Sequence, residues 1–390
     1  MDGINTRFIF LKKQRRLFIA LIAIGVISLI IGVLLYSKKY VWSALLLNSV
    51  NYLTIALGAT FLVAVHIISR SGWHVVFERI IQAVSMYLPF SVVFMLILFF
   101  GLNNIFEWTH EIHHDPVVAK KAAYLNVPFF ILRSIFLFVV WIVFALALRH
   151  FSRKSDFTPS KKLLIRSRVY AALFVVFFAL SIVVFAWDWL MSIEAHWFST
   201  LFGWYVLAGI LVKSFAVIII LLAILRYLGY FEFVSIEHIH DLARYLFSFS
   251  IFWVYLWFSQ FMLIWYANIP EETFYFINRI ENYPILFFLN IGCNFLIPFL
   301  VLIARKSRRT LWLVVVVAII VFIGQWIDQY LMIFPGIIKT ANITWFDIGL
   351  SIGFAGIFLL VIFVSLSRFE LIPKNHPYLQ ESLHFETNHT

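Results

Sequence analysis

Six titratable side chains crowd one window, FEWTHEIHHD at 106–115: Glu107, His110, Glu111, His113, His114 and Asp115. The chain has only 12 His and is only 13% charged, so the gathering asks for a reason. Three chemistries fit it. His110, Glu111 and His114 match the HExxH spacing, in which two His one helical turn apart hold zinc and the Glu serves as base. Glu107, His110 and His114 share a helical face by their i, i+3, i+7 spacing. His titrates near neutral pH and neighbouring acids exchange protons with it, so the stretch also suits a proton-handling rim where a partner docks. The third reading is a solvated loop. The metal reading is the weakest, because the motif ends against Pro116 and no third ligand is evident.

A second set of ionisable groups lies where water is scarce. Lys213 sits in YVLAGILVKSFAVIII, far from either end of its apolar run. It is too deep for its stem to carry the charge fully to the surface. Residues 209 and 217, one turn away on either side, are Gly and Val, so a neighbouring helix must answer it. Buried charges of this kind mark functional sites by default. Arg133, Asp188, Gln260, Asn290, Asn294, Gln325 and Asp328 gather toward one end of their runs. Asp188 in FAWDWLM and Asp328 in GQWIDQYLM sit in phrases that echo each other.

The elements that must position these groups follow from hydropathy. The chain is 63% hydrophobic, with a mean hydropathy of +0.96. A bilayer core needs about 20 apolar residues per helix. Ten such runs appear, at about 17–36, 44–68, 80–101, 126–148, 169–187, 198–225, 245–267, 284–304, 311–334 and 346–367. Unpaired backbone groups are not tolerated in lipid, so these runs must be helices. The fold class expected is all-α and polytopic. Residues 1–16 form an N-tail, 17–368 one transmembrane domain and 369–390 a C-tail. The echoing phrases, and two acidic loops that each lead into Phe-Phe, suggest a parallel repeat: four-helix bundles from spans 2–5 and 6–9, with spans 1 and 10 peripheral.

Loop charge sets the orientation. With the N-terminus inside, 22 of the 30 Lys and Arg fall in inner loops and tails and six in outer loops. The rule that positive charge stays inside then puts both termini in the cytoplasm and the histidine stretch outside. The net charge of +11 reflects this topology and an anionic inner leaflet, not nucleic acid.

Several functions are excluded. The stretches between runs are too short for a soluble catalytic domain, and there is no GxGxxG motif or P-loop. The single Cys293 rules out a Cys-ligated iron–sulfur cluster and an internal disulfide. There is no CxxCH for covalent haem. His66 is the only His expected inside a span, too few for a bis-His haem. Electron chemistry would therefore need a partner or a mobile quinone.

Three long phrases carry a family resemblance: EWTHE…HDPVVAKKAAYLNVPFFILRSIFLFVVW, FAWDWLMSIEAHWFSTLFGWYVLAG and FWVYLWFSQFMLIWYANIPEETFYF. They resemble the F-subunit family (quinone-binding subunit 2) of the bacterial quinol:cytochrome c oxidoreductase known as alternative complex III, over roughly residues 80–340. The larger C subunit is a poorer match, and both look like NrfD/polysulfide-reductase membrane anchors. The resemblance implies a subunit in the bacterial cytoplasmic membrane that supports menaquinol oxidation and conducts protons. Haems and iron–sulfur clusters would sit on partners: an iron–sulfur subunit and c-type cytochromes outside, beside the NrfD-like C subunit in lipid. No covalently bound cofactor or metal is expected on this chain, and menaquinone or menaquinol is the one mobile cofactor in view. The family motif positions present are Trp108, His110, Asp115, Lys121, Tyr124, Asn126, Arg133, Asp188, His196 and Trp197.

Proton-pathway candidates are then Lys213, Asp188, Asp328, Arg133, His110, Glu107, His196 and Tyr124. Docking-rim candidates are His113, His114, Asp115 and Glu194. A stand-alone proton-coupled transporter is the alternative, and a metalloenzyme built on HEIHH a third. Against the transporter, the sequence lacks paired Gly/Pro breaks at mid-membrane.

Overall fold

The computed structural model describes residues 7–111 and 115–386, with nothing said of the Glu111 side chain. Among these residues the regular structure is helical, apart from one isolated bridge between Arg7 and Glu370. Ten helices are long and apolar enough to cross a membrane: α1 Lys12–Leu35, α2 Lys38–Ser69, α3 Val75–Ile105, α4 Val127–Phe157, α5 Lys161–Ile193, α6 Phe202–Tyr227, α7 Ile236–Ala267, α8 Pro284–Leu302, α9 Leu311–Ile337 and α10 Trp345–Ser367.

Short polar residues start these helices. Ser37 accepts from the Tyr40 amide at 3.3 Å, Asn126 from Phe129 at 3.0 Å and Ser160 from Leu163 at 3.2 Å. Each satisfies an amide that the first turn leaves without a partner. Arg70 and Asn268 end α2 and α7 in the left-handed conformation, with φ of 53° and 49°.

The helices pack as two bundles and a pair. In the first bundle α2 packs on α3 and α5, and α4 on α5 and α3. In the second α6 packs on α7 and α9, and α8 on the same two. Helices α2 and α6 meet at the centre, where 72% and 78% of their most apolar windows are buried. Helices α1 and α10 pair with each other and lie against α2 and α3. A Cβ on Gly25 would collide with the backbone of Gly353, and one on Gly353 with Gly25. Where lipid is as apolar as Leu, such close backbone approach is what holds two helices together.

An even number of spans returns the chain to one face. Phe8 packs on Phe363 with ring centroids 5.2 Å apart, and Ser382 donates to the Trp73 carbonyl at 2.9 Å. We call this the tail face and its opposite the far face.

One expectation needs correction. Helix α7 begins at Ile236 rather than near 245 and α4 runs on to Phe157, so His238, His240 and His150 join His66 within the long helices. The apolar run understated α7 because its first two turns are polar. Breaks are also present. Helix α3 turns at Met86–Tyr87 ahead of Pro89 and tightens to 3₁₀ over Leu98–Gly101, while α8 widens into a π turn at Gly292–Leu296 ahead of Pro298. Proline has no amide to give the preceding turn, which is a physical cause for both irregularities. They are not paired between the bundles, since α3 corresponds to α7 and α8 to α4.

Candidate functional site

The two echoing aspartates occupy matching places and keep different company. In the first bundle Asn126 caps α4, Pro128 fits its first turn, and Arg133 follows on the next turn, facing α5. Arg133 donates to both Asp188 oxygens, Nε to Oδ2 and Nη2 to Oδ1, each at 2.8 Å. This two-pronged geometry is the strongest form of ion pair. Asp188 is 1% exposed and Arg133 13%. The guanidinium lies 3.9 Å from the Tyr124 ring centroid and 4.3 Å from that of Phe129. Burial and the Asp188 carboxylate push the Tyr124 phenol above its ordinary range. Trp189 ties the pair of helices further, donating to Ser134 at 3.1 Å.

In the second bundle no cation among the described residues is in hydrogen-bonding contact with Asp328. It accepts from the Tyr205 hydroxyl on α6, from Trp253 Nε1 on α7 at 3.3 Å and from Asn290 Nδ2 on α8 at 2.8 Å. Asn294 donates to Asn290 Oδ1 at 2.6 Å, and Gln325 to Asn294 Oδ1 at 2.9 Å. The π turn of α8 lies here and holds Asn294 in this chain. A Cβ on Gly209 would meet Gln325 Oε1 at 2.7 Å, so a bare backbone on α6 leaves room for the amide.

Lys213, two turns further along α6, is 1% exposed. Its ammonium donates to Asn51 Oδ1 at 3.2 Å and to Thr54 Oγ1 at 2.8 Å, both on α2. A neighbouring helix does answer it, but with neutral acceptors. Asp328 is the acid whose charge acts on it, without a hydrogen bond between the two. Gly58 lets α2 and α6 come close enough for these contacts, since a Cβ there would overlap Ser214.

A polar layer on the far face closes over Asp328. Pro335 interrupts α9 and leaves the Leu331 carbonyl without its helical donor. Arg279, on the short helix Pro270–Asn282, donates Nε to that carbonyl at 2.9 Å and Nη1 to the Tyr275 carbonyl at 2.6 Å. Its Nη1 is 3.1 Å from Glu194 Oε1, an ion pair too oblique for a hydrogen bond. Burial pushes the Glu194 carboxyl above the usual carboxylate range, against the pull of Arg279. Between Arg279 and Asp328 lies a cavity of about 20 Å³, lined also by Tyr205, Gln260 and Asn290. That is room for one water, with the unpartnered Gln260 Oε1 and Arg279 Nη2 to hold it. Pockets for ring-sized ligands run to hundreds of Å³. A naphthoquinone head does not fit in this cavity beside Asp328.

The rim candidates divide. Asp115 caps a short helix, accepting from Val117 at 2.7 Å, and lies 2.8 Å from His196 Nε2. The cap amide and the imidazole hold Asp115 below the usual carboxylate range. Lys121 donates to the Ala195 carbonyl at 2.6 Å. Glu107 and His110 are exposed, and His110 Nε2 sits 3.1 Å from the Asn103 carbonyl. Glu194 turns inward onto Arg279 instead of outward, because Trp197 stacks on Tyr275 with centroids 3.8 Å apart and folds the connection down. His113 and His114 lie outside the described residues, as does the metal reading that needs His114.

No protein-family model and no curated protein matches this chain. The site's geometry joins Asp328 to Asn290, Asn294 and Gln325, and Arg133 to Asp188 and Tyr124. It keeps the two aspartates in separate bundles. Sequence reasoning missed Tyr205, Trp253, Asn51, Thr54 and Arg279. Pro335, four residues after Leu331, was a usable signal, since it announces a carbonyl in need of a donor.

Proposed function

We propose that this chain is a proton-handling membrane subunit of a menaquinol:cytochrome c oxidoreductase of the alternative complex III type. The observation that carries this is Asp328. It is buried, bonded by neutral donors alone, and shares its field with the buried Lys213. An aspartate already neutralised by a guanidinium has little reason to exchange protons. One without such a partner can take a proton from the far face and return it. The Glu194–Arg279 layer and the one-water cavity provide the approach.

The family motif positions support the assignment by coming together on one side. Arg133 with Asp188 and Tyr124, Asp115 with His196, Lys121 with Ala195 and Trp197 with Tyr275 all lie in the far half. In this reading the tail face is cytoplasmic, as loop charge suggests, and the membrane is the bacterial cytoplasmic membrane. The far face meets the iron–sulfur and c-type cytochrome subunits, which carry the redox centres. Menaquinol oxidation takes place beside this chain, on the NrfD-like C subunit, and protons it releases reach the far-face rim.

The test is a gentle pull-down of the tagged chain from its native membrane, read by visible absorption. A c-type haem spectrum with several co-purifying chains is expected. A colourless single-chain preparation that survives mild detergent would contradict the reading. It would favour the second one, a proton-coupled transporter, for which the broken helices α3 and α8 are the supporting observation.

A further inference from the structure

A wide cavity lies away from this site. It opens on the tail-face half of the bundle, between α3, α4 and α10, with a volume of about 970 Å³. Its walls are apolar, including Phe90 and Leu146, which are 50% and 47% exposed, and Leu360 and Val361. Its end is cationic. Arg149, Arg153 and Arg368 line it there, beyond the apolar stretch of their helices.

Arg149 and Arg153 are held in place without being neutralised. Arg149 donates to Ser365 Oγ at 2.5 Å and to the Ser365 carbonyl at 3.4 Å. Arg153 stacks on Phe369, 3.8 Å from the ring centroid, and Arg149 is 5.5 Å from the same ring. The charged groups that act on Arg149 are Arg153, Arg79 and Arg368, all cations. Arg79 is answered by Asp156. Among the described residues no carboxylate pairs with Arg149, Arg153 or Arg368. Three guanidinium groups with no carboxylate partner among the described residues stand at the end of an apolar groove.

We propose that this groove is a binding site for an anionic phospholipid, its phosphate held by Arg149, Arg153 and Arg368 and its acyl chains lying along α3, α4 and α10. Guanidinium forks match phosphate oxygens in pairs and bind them more specifically than scattered lysines would. The apolar walls distinguish a lipid from a free phosphate, which would use only the cationic end. The inference does not depend on the function proposed above.

Native mass spectrometry of the full chain in detergent tests it, with phosphatidylglycerol and phosphatidylcholine titrated separately. Phosphatidylglycerol is expected to bind at least tenfold more tightly. Each surface arginine contributes roughly fivefold, so R153Q/R368Q should weaken phosphatidylglycerol about 25-fold and leave phosphatidylcholine unchanged. Both side chains are exposed, so the double variant should fold, which its melting temperature checks. K154Q, an exposed lysine outside the groove, serves as the control and should bind like the parent. Equal binding of the two lipids, undiminished binding by R153Q/R368Q, an equal loss in K154Q, or full displacement by millimolar inorganic phosphate would each overturn the proposal.

Discussion

Asp188 and Asp328 lie in the far halves of corresponding helices, in similar phrases, yet one is locked and the other is not. In the first bundle a guanidinium grips both carboxylate oxygens at 2.8 Å. At the matching level of the second bundle, α8 offers Asn290 instead, and the cation whose charge acts on Asp328 is Lys213, held elsewhere by Asn51 and Thr54. The first arrangement is a closed ion pair joining α4 to α5. The second separates an acid from a base and surrounds each with neutral dipoles. An ion pair fixes two helices to each other, whereas a separated pair leaves charge that a proton can alter. The difference turns on a single helix position near the start of α4 and α8.

The largest effect that can break this comparison is structural. Asp188→Ala leaves the Arg133 guanidinium partly buried without its acid, which costs about 3–5 kcal/mol. The yield of folded chain and its melting temperature in detergent report it. A loss under about 1 kcal/mol would mean that the pair does not join the bundles' helices as described.

Lys213→Met should behave in the opposite way. It removes a buried cation that has only neutral acceptors, so stability should stay within about 1 kcal/mol or rise. Quinol-dependent proton release should fall by more than in Lys120→Ala or Lys121→Ala. Equal small effects from all three variants would make Lys213 a tolerated residue.

The smallest effect is a slope against pH. Burial raises the Glu194 carboxyl above its ordinary range, so the folded chain keeps a proton that the unfolded chain has already lost. Between the ordinary value, about 4.3, and the raised one, the unfolded state binds fewer protons and stability falls as pH increases. Glu194→Gln should flatten the melting temperature across that window. An unchanged slope would mean that Arg279 neutralises Glu194 as fully as Arg133 does Asp188.

Much of this was legible in the sequence, for identifiable reasons. Continuous apolar runs allow only helices in lipid, and ten of them gave ten spans in two bundles and a peripheral pair. Lys213, Asp188 and Asp328 stood out because ionisable groups are rare in such runs. Their partners were not legible, because they come from other helices. Nothing in YVLAGILVKSFAVIII points to Asn51 and Thr54, some 160 residues earlier. Glu194 read as rim because its segment is polar, and the Trp197–Tyr275 stack that turns it inward is a long-range contact. Arg279 counted only as a loop charge, since its short helix folds back over α9 through one proline-freed carbonyl. The length of α7 was underestimated because its polar first turns leave the apolar stretch.

The most direct test of the central claim compares Asp328→Asn with the parent in the purified complex, measuring proton release per electron passed from quinol to cytochrome c in sealed vesicles. Asparagine keeps the shape, and its one oxygen can still accept from Tyr205 and Asn290, so haem content and assembly should match the parent. The account predicts that proton release collapses while the complex stays intact. An intact Asp328→Asn complex that turns over and releases protons like the parent would contradict it.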